Sequence, residues 1–321
     1  MLAAYAARIS PEDPLSGLEV GEVEEPNVPE GWVAVEVRAA SLNHHDVWSL
    51  KGVGLPEERL PMILGCDAAG TDPDGNEVIV HSVIADPEWR GDESLDPRRT
   101  LLSEVHPGSL AERVAVPRRN LVPKPEALSF EEACCLPTAY LTAYRMLFTR
   151  GRLRPGQTVL VQGAAGGVAS AAIAIARGAG ARVWATSREQ RKREYAAELG
   201  AHETFEAGAR LPDRVDVVIE TVGEATWAHS LRAVKPGGIV VVAGATSGMN
   251  PPADLSRLFF KQIEVIGSTM GTRAELEDLV GMMEATGLRP RIDRVLPLTE
   301  AAAGIETMIA GEVFGKIVLT P

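Results

Sequence analysis

The stretch that decides the fold is "TVLVQGAAGGVASAAIAIARG", residues 158–178. It opens with a continuous apolar run, typical of a buried strand, and continues through a glycine cluster into a helical pattern. Glycine lets the backbone turn tightly and approach a pyrophosphate closely, and the start of a helix offers free N–H groups. A plain tight turn is the alternative. The strand–turn–helix context favours a dinucleotide-binding unit, with the phosphates at Gly163, Ala165, Gly166, Gly167 and Val168.

The end of the predicted second strand indicates which dinucleotide binds. A site for NAD places Asp or Glu about 20 residues after the glycines, where the carboxylate holds the ribose 2′-hydroxyl. That position is Thr186, followed by Ser187 and Arg188, with Arg191 and Lys192 one helical turn later. A hydroxyl among cations suits a 2′-phosphate, so the pattern predicts NADP(H). The alternative is that these cations form only a solvated helix face.

Strands and helices continue to alternate after this unit. Apolar runs at 215–220, 238–244 and 263–268 predict further strands, and their alternation with helices predicts a parallel sheet covered on both faces. Upstream, Ser129 and Glu132 form a capping-box pattern that predicts the start of a helix, which we expect Pro137 to kink or restart.

The beginning and the end of the chain have a different pattern. "WVAVEV" at 32–37 alternates as a half-buried strand does, and the polar, turn-rich stretch 85–108 predicts a long surface loop. The mixed tail is too short to be a domain by itself. We therefore predict an α/β protein, with a β-rich domain of residues 1–120 plus 288–321 and an inserted, doubly wound nucleotide-binding domain of residues 121–287.

Composition narrows the class of protein. The chain has 321 residues and a net charge of −12, which argues against nucleic acid or an anionic membrane as the main partner. Its start lacks the pattern of a signal peptide, and no apolar run is long enough to span a bilayer. Three cysteines do not make a disulfide framework. These features predict a cytoplasmic protein whose main partner is neither nucleic acid nor a membrane.

Several motifs together resemble one family. "LNHHD" at 42–46, "LGCDAAG" at 64–70, "LTAYRML" at 141–147 and the ending "GKIVLTP" at 315–321 accompany the glycine turn, and the resemblance covers essentially the whole chain. The sequence is similar to medium-chain dehydrogenase/reductases, in their quinone-oxidoreductase-like branch. This resemblance implies a GroES-like catalytic domain with an inserted Rossmann domain, hydride transfer from NADPH in the cleft between them, and a homodimer.

The resemblance also implies site residues. Asn43 would hold the nicotinamide ribose or a substrate oxygen, Asp46 would be mostly structural, and Thr142 would face the nicotinamide. Trp48 stands where many quinone-reducing relatives have a tyrosine, so it could wall a flat pocket instead, and Tyr140 remains a possible proton donor. Lys192 matches the lysine that binds the 2′-phosphate. The loops after late strands would contact the nicotinamide through Gly244, Ala245, Thr246 and Ser268.

The zinc-dependent members of the superfamily bind catalytic zinc at three positions, which here are Asn43, Cys66 and Thr138. Only cysteine is a good zinc ligand among these three residues. His44 and His45 are adjacent, and on a strand adjacent side chains would point to opposite faces, so they would not easily share one ion. We therefore expect no metal site.

Hydride transfer without a Lewis acid favours acceptors that conjugation already activates. The predicted function is therefore an NADPH-dependent oxidoreductase that reduces a quinone or an α,β-unsaturated carbonyl compound without catalytic zinc. Two alternatives stay open at this point: a zinc-dependent alcohol dehydrogenase, and an NADPH-binding sensor or structural protein with little turnover.

Overall fold

The computed structural model describes all residues, 1–321, and divides them into two compact units. The first comprises Met1–Leu141 and Met270–Pro321, and the second comprises Thr142–Thr269. These boundaries differ from the predicted 120/121 and 287/288. Residues after 270 belong to the first unit because the His81 ring bonds the carbonyl of Gly271 at 3.0 Å and Arg273 donates to the carbonyl of Leu121 at 3.2 Å.

The N-terminal part of the first unit is mainly β structure, as its alternating pattern predicts. Its strands, with two helices, are β1 (Leu2–Ala6), β2 (Leu18–Glu22), β3 (Trp32–Ser41), α1 (His44–Leu50), β4 (Met62–Ile63), β5 (Asp67–Thr71), β6 (Glu77–Val80), β7 (Val83–Ile84), β8 (Thr100–Leu101), β9 (Arg113–Pro117), β10 (Leu121–Pro123) and α2 (Phe130–Ala133).

Two predictions about this part need correction. His44 and His45 lie in the first turn of α1 and not on a strand, because Asn43 and Asp46 form a capping box that starts a helix there. The stretch 85–108 is not only surface loop. It contributes β8, which pairs with β7, and its Leu102 and Ser103 are fully buried.

The second unit alternates strands and helices. Its elements are α3 (Leu141–Tyr144, whose first residue still belongs to the first unit), β11 (Thr158–Gln162), α4 (Gly167–Gly178), β12 (Arg182–Thr186), α5 (Gln190–Glu198), β13 (Glu203–Phe205), β14 (Val215–Glu220), α6 (Glu224–Ala233), β15 (Val234–Val242), α7 (Leu255–Lys261) and β16 (Glu264–Gly267).

One six-stranded sheet organises the second unit. The strand order is β13-β12-β11-β14-β15-β16, and every neighbouring pair is parallel. The order reverses between β11 and β14, and open parallel sheets bind ligands beyond the carboxyl ends of their strands at such a reversal. Val159, Leu160 and Val161 of β11 are fully buried, as the apolar run predicts. The predicted α/β class and doubly wound sheet are confirmed.

The chain returns to the first unit through α8 (Arg273–Thr286), β17 (Ile292–Pro297), α9 (Ala301–Ile309) and β18 (Lys316–Thr320). Strand β18 pairs antiparallel with β3 and parallel with β17, so the C-terminal tail completes the sheet β10-β6-β5-β3-β18-β17, to which β9 is added through β3. A smaller sheet has the order β2-β1-β4. No helix combines the length and the apolar character that crossing a bilayer requires.

The capping box at α2 is present as predicted, since Ser129 Oγ accepts from the N–H of Glu132 at 3.2 Å and the Glu132 carboxylate accepts from the N–H of Ser129 at 3.0 Å. The helix then restarts around Pro137 in a π-helical segment, Leu136–Tyr140. Proline lacks a backbone donor, so the regular α-helical bond cannot form there.

Strand β5 contains a glycine at which any side chain would overlap the backbone of the neighbouring strand. A Cβ on Gly70 would lie 2.0 Å from the carbonyl oxygen of Glu36 on β3, whereas a Cβ on Gly21 of β2 would meet only the Tyr5 hydroxyl at 3.9 Å. We predict that Gly70→Ala lowers the free energy of unfolding by about 3 kcal/mol through this overlap. Gly21→Ala should change it by less than about 0.5 kcal/mol. Chemical denaturation measures both, and equal stabilities would contradict the prediction.

Candidate active site and cofactor-binding residues

The turn between β11 and α4 is built on two glycines with different roles. Gly163 has φ +85°, a left-handed conformation that residues with a Cβ rarely adopt. Gly166 has ordinary angles as the N-cap of α4, and a Cβ added there would meet no atom within 4 Å. Gly166 therefore leaves open space beside the backbone, where a ligand can approach closely.

The N-terminus of α4 faces this space without a side-chain cap. The first N–H groups of a helix have no partner within the helix and attract anions. Ser170 fixes the turn from behind, because its hydroxyl lies 3.0 Å from the carbonyl oxygen of Ala165 and 2.9 Å from that of Gly166. The predicted phosphate residues, Gly163, Ala165, Gly166, Gly167 and Val168, are thus gathered in one turn and the first turn of α4.

A buried polar network supports the strand ends, and the sequence patterns missed it. Gln162 at the end of β11 accepts from the Thr186 hydroxyl at 2.6 Å and bonds the His229 ring at 2.9 Å and the Ser230 hydroxyl at 3.0 Å. Ser230 in turn donates to Glu220, a fully buried carboxylate at the end of β14, at 2.6 Å. The sequence does contain a signal for this network, because a glutamine and a glutamate end the otherwise apolar strands β11 and β14.

Glu220 also holds the turn after β14, since its carboxylate accepts from the N–H groups of Val222 at 2.9 Å and Gly223 at 3.0 Å. A Cβ on Gly223 would lie 2.8 Å from the Cα of Ala245, so this turn packs closely against the predicted cofactor loop after β15. The loop, with Gly244, Ala245 and Thr246, therefore has its position set by Glu220 through the turn.

Ser268 follows β16, the next strand of the sheet. Its N–H donates to the carbonyl of Val242 at 2.8 Å, while its hydroxyl oxygen is buried and has no hydrogen-bond partner within the chain. Buried hydroxyl groups normally find a partner, so this one is available to a ligand. Together with the open space at Gly166 and the uncapped α4, it fits a dinucleotide.

The segment after β12 carries the predicted 2′-phosphate residues, and it carries an acid as well. Ser187 is half-buried and Arg188 is exposed, while the Lys192 ammonium forms an ion pair with Glu189. Thr186 itself is buried, with its hydroxyl committed to Gln162. The strand end itself, Thr186, carries no acid, and Glu189 lies three residues further on.

In the first unit, a buried ammonium lies at the predicted catalytic asparagine. Lys316 is 3% exposed, and its Nζ donates to Asn43 Oδ1 at 2.6 Å and to the carbonyl of Leu42 at 2.7 Å. It also lies 3.3 Å from Oδ2 of Asp67, which is fully buried. Asn43 Nδ2 donates to the same Asp67 oxygen at 2.8 Å, and Ser41 Oγ does so at 2.6 Å. These contacts orient the Asn43 amide.

Zinc does not fit the side chains at the three family positions. Asn43 is a poor ligand and its amide is committed to Lys316 and Asp67, so a dication here would also face a fixed ammonium. Cys66 interacts with the His45 ring at 3.4 Å and with the carbonyl of Leu102 at 3.4 Å, and burial raises the pKa of its thiol, which disfavours the thiolate that zinc needs. Thr138 offers only a buried hydroxyl.

His45 links Cys66 to an acid that the sequence patterns did not associate with it. Its Nε2 lies 2.9 Å from Glu104 Oε1, and its Nδ1 lies 3.3 Å from Ser103 Oγ. Burial lowers the pKa of His45, but contacts with Cys66 and Glu104 outweigh it and raise the pKa well above its usual value. The His45 ring therefore connects the Cys66 thiol with the Glu104 carboxylate near the start of α1.

The remaining predicted residues occupy different environments. Asp46 is structural as expected, since its carboxylate accepts from the N–H groups of Asn43 at 2.8 Å and Gly65 at 3.0 Å. Tyr140 is 1% exposed and its hydroxyl oxygen accepts from the N–H of Arg291 at 2.9 Å, and its role as a proton donor stays a prediction. Trp48 is half-buried on α1, with the Lys51 ammonium 5.5 Å from its ring centre. Thr142 is 7% exposed at the start of the second unit.

The Lys316 contacts predict a large effect on stability. Lys316→Met removes the cation and leaves the Asp67 carboxylate buried without an opposite charge, so we expect a loss of about 3–5 kcal/mol in the free energy of unfolding. Lys235→Met is the matched control, because Lys235 forms an ion pair with Asp216 at 2.8 Å but is 41% exposed; it should cost at most about 1 kcal/mol. Similar denaturation midpoints for the two variants would contradict this.

The contact between Glu104 and His45 predicts a pH effect. We expect Glu104→Gln to lower the pKa of His45, measured by NMR titration of the ring, with His202 in the second unit as an unchanged reference. A pKa raised by folding adds stability below the unfolded value, about 6.5, and this stability disappears as the pH rises through the folded value. The variant should therefore lose stability mainly on the acid side, and an unshifted His45 would contradict the assignment.

Comparisons with known proteins match both units. The sequence profile of the alcohol dehydrogenase GroES-like domain matches residues 29–126, and that of the zinc-binding dehydrogenase family matches residues 167–285. The zinc-binding dehydrogenase profile, at residues 167–285, does not include the three positions that the resemblance aligns with zinc ligands, which are Asn43, Cys66 and Thr138. An acryloyl-coenzyme A reductase of Metallosphaera sedula is 30% identical, over 95% of this chain and 96% of that protein. Quinone oxidoreductase of Mus musculus is 29% identical, over 89% of this chain and 88% of that protein.

Solved structures agree with these matches. The structure of an NAD-dependent alcohol dehydrogenase superposes with a TM-score of 0.92 at 34% identity, covering 100% of both chains. A 2-octenoyl-CoA carboxylase reductase in complex with NADP and 2-octenoyl-CoA superposes with a TM-score of 0.91 at 26% identity, covering 99% of this chain and 87% of that one. With both domains matched in order and relatives aligned over nearly their whole length, the chain belongs to the medium-chain dehydrogenase/reductase superfamily of oxidoreductases.

Proposed function

We propose that this protein is an NADPH-dependent reductase that transfers hydride to the β-carbon of an α,β-unsaturated carbonyl compound, either an enone or an enoyl thioester, without catalytic zinc. When bound, the reduced nicotinamide supplies the hydride. Such substrates accept hydride readily, because conjugation spreads the developing negative charge onto the carbonyl oxygen.

The observation that carries this proposal is the contact between Lys316, Asp67 and Asn43. Asn43, whose amide oxygen accepts a hydrogen bond from the buried Lys316 ammonium, stands at a position that the family resemblance aligns with a zinc ligand. Simple ketones and alcohols gain most from a Lewis acid, whereas conjugated acceptors need mainly hydrogen-bond donors for the developing oxyanion. The poor zinc-ligand set of Asn43, Cys66 and Thr138 therefore favours conjugated substrates.

The relatives support the same chemistry. One is named an acryloyl-coenzyme A reductase, and a solved structure at 26% identity contains NADP and 2-octenoyl-CoA. Both names describe an alkene conjugated to a thioester carbonyl. Another similar structure is that of an NAD-dependent alcohol dehydrogenase, so similarity alone is compatible with either cofactor. The preference for NADPH is therefore proposed from the residues of this chain.

Residues of the second unit have the proposed binding roles. The α4 N-terminus and the turn Gly163–Gly167 bind the pyrophosphate, while Ser187, Arg188 and Lys192 bind the 2′-phosphate. The loop with Gly244, Ala245 and Thr246, together with the unpartnered hydroxyl of Ser268, binds the nicotinamide end. Thr142 faces the nicotinamide ring in this proposal.

A quinone is the second candidate substrate. Quinones are also conjugated acceptors, and the Mus musculus relative is a quinone oxidoreductase. The half-buried indole of Trp48 offers a flat apolar surface that suits a planar ring.

We propose in addition that the protein is a homodimer, because β16 is an edge strand with Val265 exposed and the neighbouring α7 exposes Phe259 and Phe260.

The test is NADPH oxidation by chelator-treated protein against crotonyl-CoA, an enone, a benzoquinone, a saturated ketone and an aldehyde. We expect turnover of the conjugated acceptors and little with the saturated carbonyl compounds, because no Lewis acid polarises the latter. With NADPH deuterated at the transferred position, the label should appear on the β-carbon of the product.

The other outcomes separate the alternatives. Activity that returns only on addition of zinc would establish a zinc-dependent dehydrogenase and overturn the proposal. Tight NADPH binding without turnover of any acceptor would favour a sensor or structural protein. Turnover of benzoquinone with none of crotonyl-CoA or the enone would favour the second candidate substrate.

A further inference from the structure

An acid stands among the cations that would bind the 2′-phosphate. Glu189 is the N-cap of α5, but its side chain makes no capping hydrogen bond to the helix. Its carboxylate turns to its own basic neighbours instead. One oxygen pairs with the Lys192 ammonium, and the other accepts from Arg191 Nε at 3.0 Å.

The surrounding backbone keeps this acid in place. The N–H of Glu189 donates to Ser187 Oγ at 3.3 Å, and Arg193 donates to the carbonyl oxygens of Ser187 at 2.7 Å and Arg188 at 3.2 Å. Hydrogen bonds from Lys192 and Arg191 lower the pKa of Glu189, so its carboxylate is charged at neutral pH. Lys192 is the more enclosed of the two cations, with its side chain 17% exposed against 58% for Arg191.

A 2′-phosphate and this carboxylate require the same partners. Phosphate oxygens form their strongest bonds with Lys and Arg donors, and those of Lys192 and Arg191 are directed at Glu189. A bound phosphate must share or displace these donors and also lies near a like charge. The 2′-hydroxyl of NAD(H) has no such conflict, since a carboxylate after the second strand is a natural acceptor for it.

We propose that Glu189 competes with the 2′-phosphate for Lys192 and Arg191. It thereby weakens NADP(H) binding and reduces the preference of this protein for NADP(H) over NAD(H). This inference rests on the proposed function, because it concerns the cofactor of that reductase. It assigns to Glu189 a role in specificity.

The test compares Glu189→Gln with Glu194→Gln. Glu194 lies on the same helix and accepts from Gln190 at 2.8 Å, so its substitution removes the same charge from α5 without freeing Lys192 or Arg191 through Glu189. Calorimetric titrations of each protein with NADP⁺, NAD⁺ and adenosine 2′,5′-bisphosphate measure binding without turnover. Circular dichroism checks that the variants are folded.

We expect Glu189→Gln to bind NADP⁺ and adenosine 2′,5′-bisphosphate roughly five- to tenfold more tightly, the size of one screened like charge near the phosphate. Its NAD⁺ affinity should stay the same or fall, and Glu194→Gln should leave all three affinities unchanged. Lys192→Ala should weaken NADP⁺ binding far more than NAD⁺ binding.

Three results would overturn this inference while the proposed function stands: NADP⁺ affinity unchanged in Glu189→Gln, equal tightening in both variants, or tightening of NADP⁺ and NAD⁺ by the same factor. If the wild-type protein binds neither dinucleotide, the proposed function itself fails. The two failures are therefore distinguishable in the same set of titrations.

Discussion

The buried ammonium of Lys316 is the contact on which the first unit's site depends. A charged amine in the interior is costly unless it is paired and hydrogen-bonded, and here it has the Asp67 carboxylate, the Asn43 amide and the carbonyl of Leu42. The pair brings together the end of β3, the start of α1, the start of β5 and the first residue of β18. It also orients the Asn43 amide, with its oxygen toward Lys316 and its nitrogen toward Asp67.

A second buried carboxylate has the same organising role in the other unit. Glu220 accepts from two backbone N–H groups and two hydroxyl groups at the end of β14. It thereby fixes the turn that packs against the loop at 244–246, while Gln162 ties the ends of β11 and β12 together. The flexible part of a dinucleotide site is its loops, so anchoring them on buried polar groups preorganises the site for its ligand.

Much of this architecture was accessible from local sequence patterns. Apolar runs, a glycine cluster and a capping box predicted the parallel sheet, the tight turn between β11 and α4 and the start of α2, because each depends on neighbouring residues. The errors were local too: Asp46 and Asn43 start a helix where a strand was expected, and a turn-rich stretch supplies β8. The predicted domain boundaries differed from the compact units because α8 is tied to the first unit by contacts of His81 and Arg273 with distant backbone.

The sequence by itself determined the fold class, the alternation of strands and helices in the parallel sheet and the family, and it predicted where a dinucleotide would bind. The tertiary structure alone decided which distant side chains meet. Lys316 reaches Asp67 across 249 residues of chain, and Glu104 reaches His45 across 59. Strand order and register bring such pairs together, and no local pattern encodes them. Glu189 is different, since it lies close to Lys192 in the sequence. Only its side-chain geometry shows that the carboxylate does not cap α5 and instead forms ion pairs with Lys192 and Arg191.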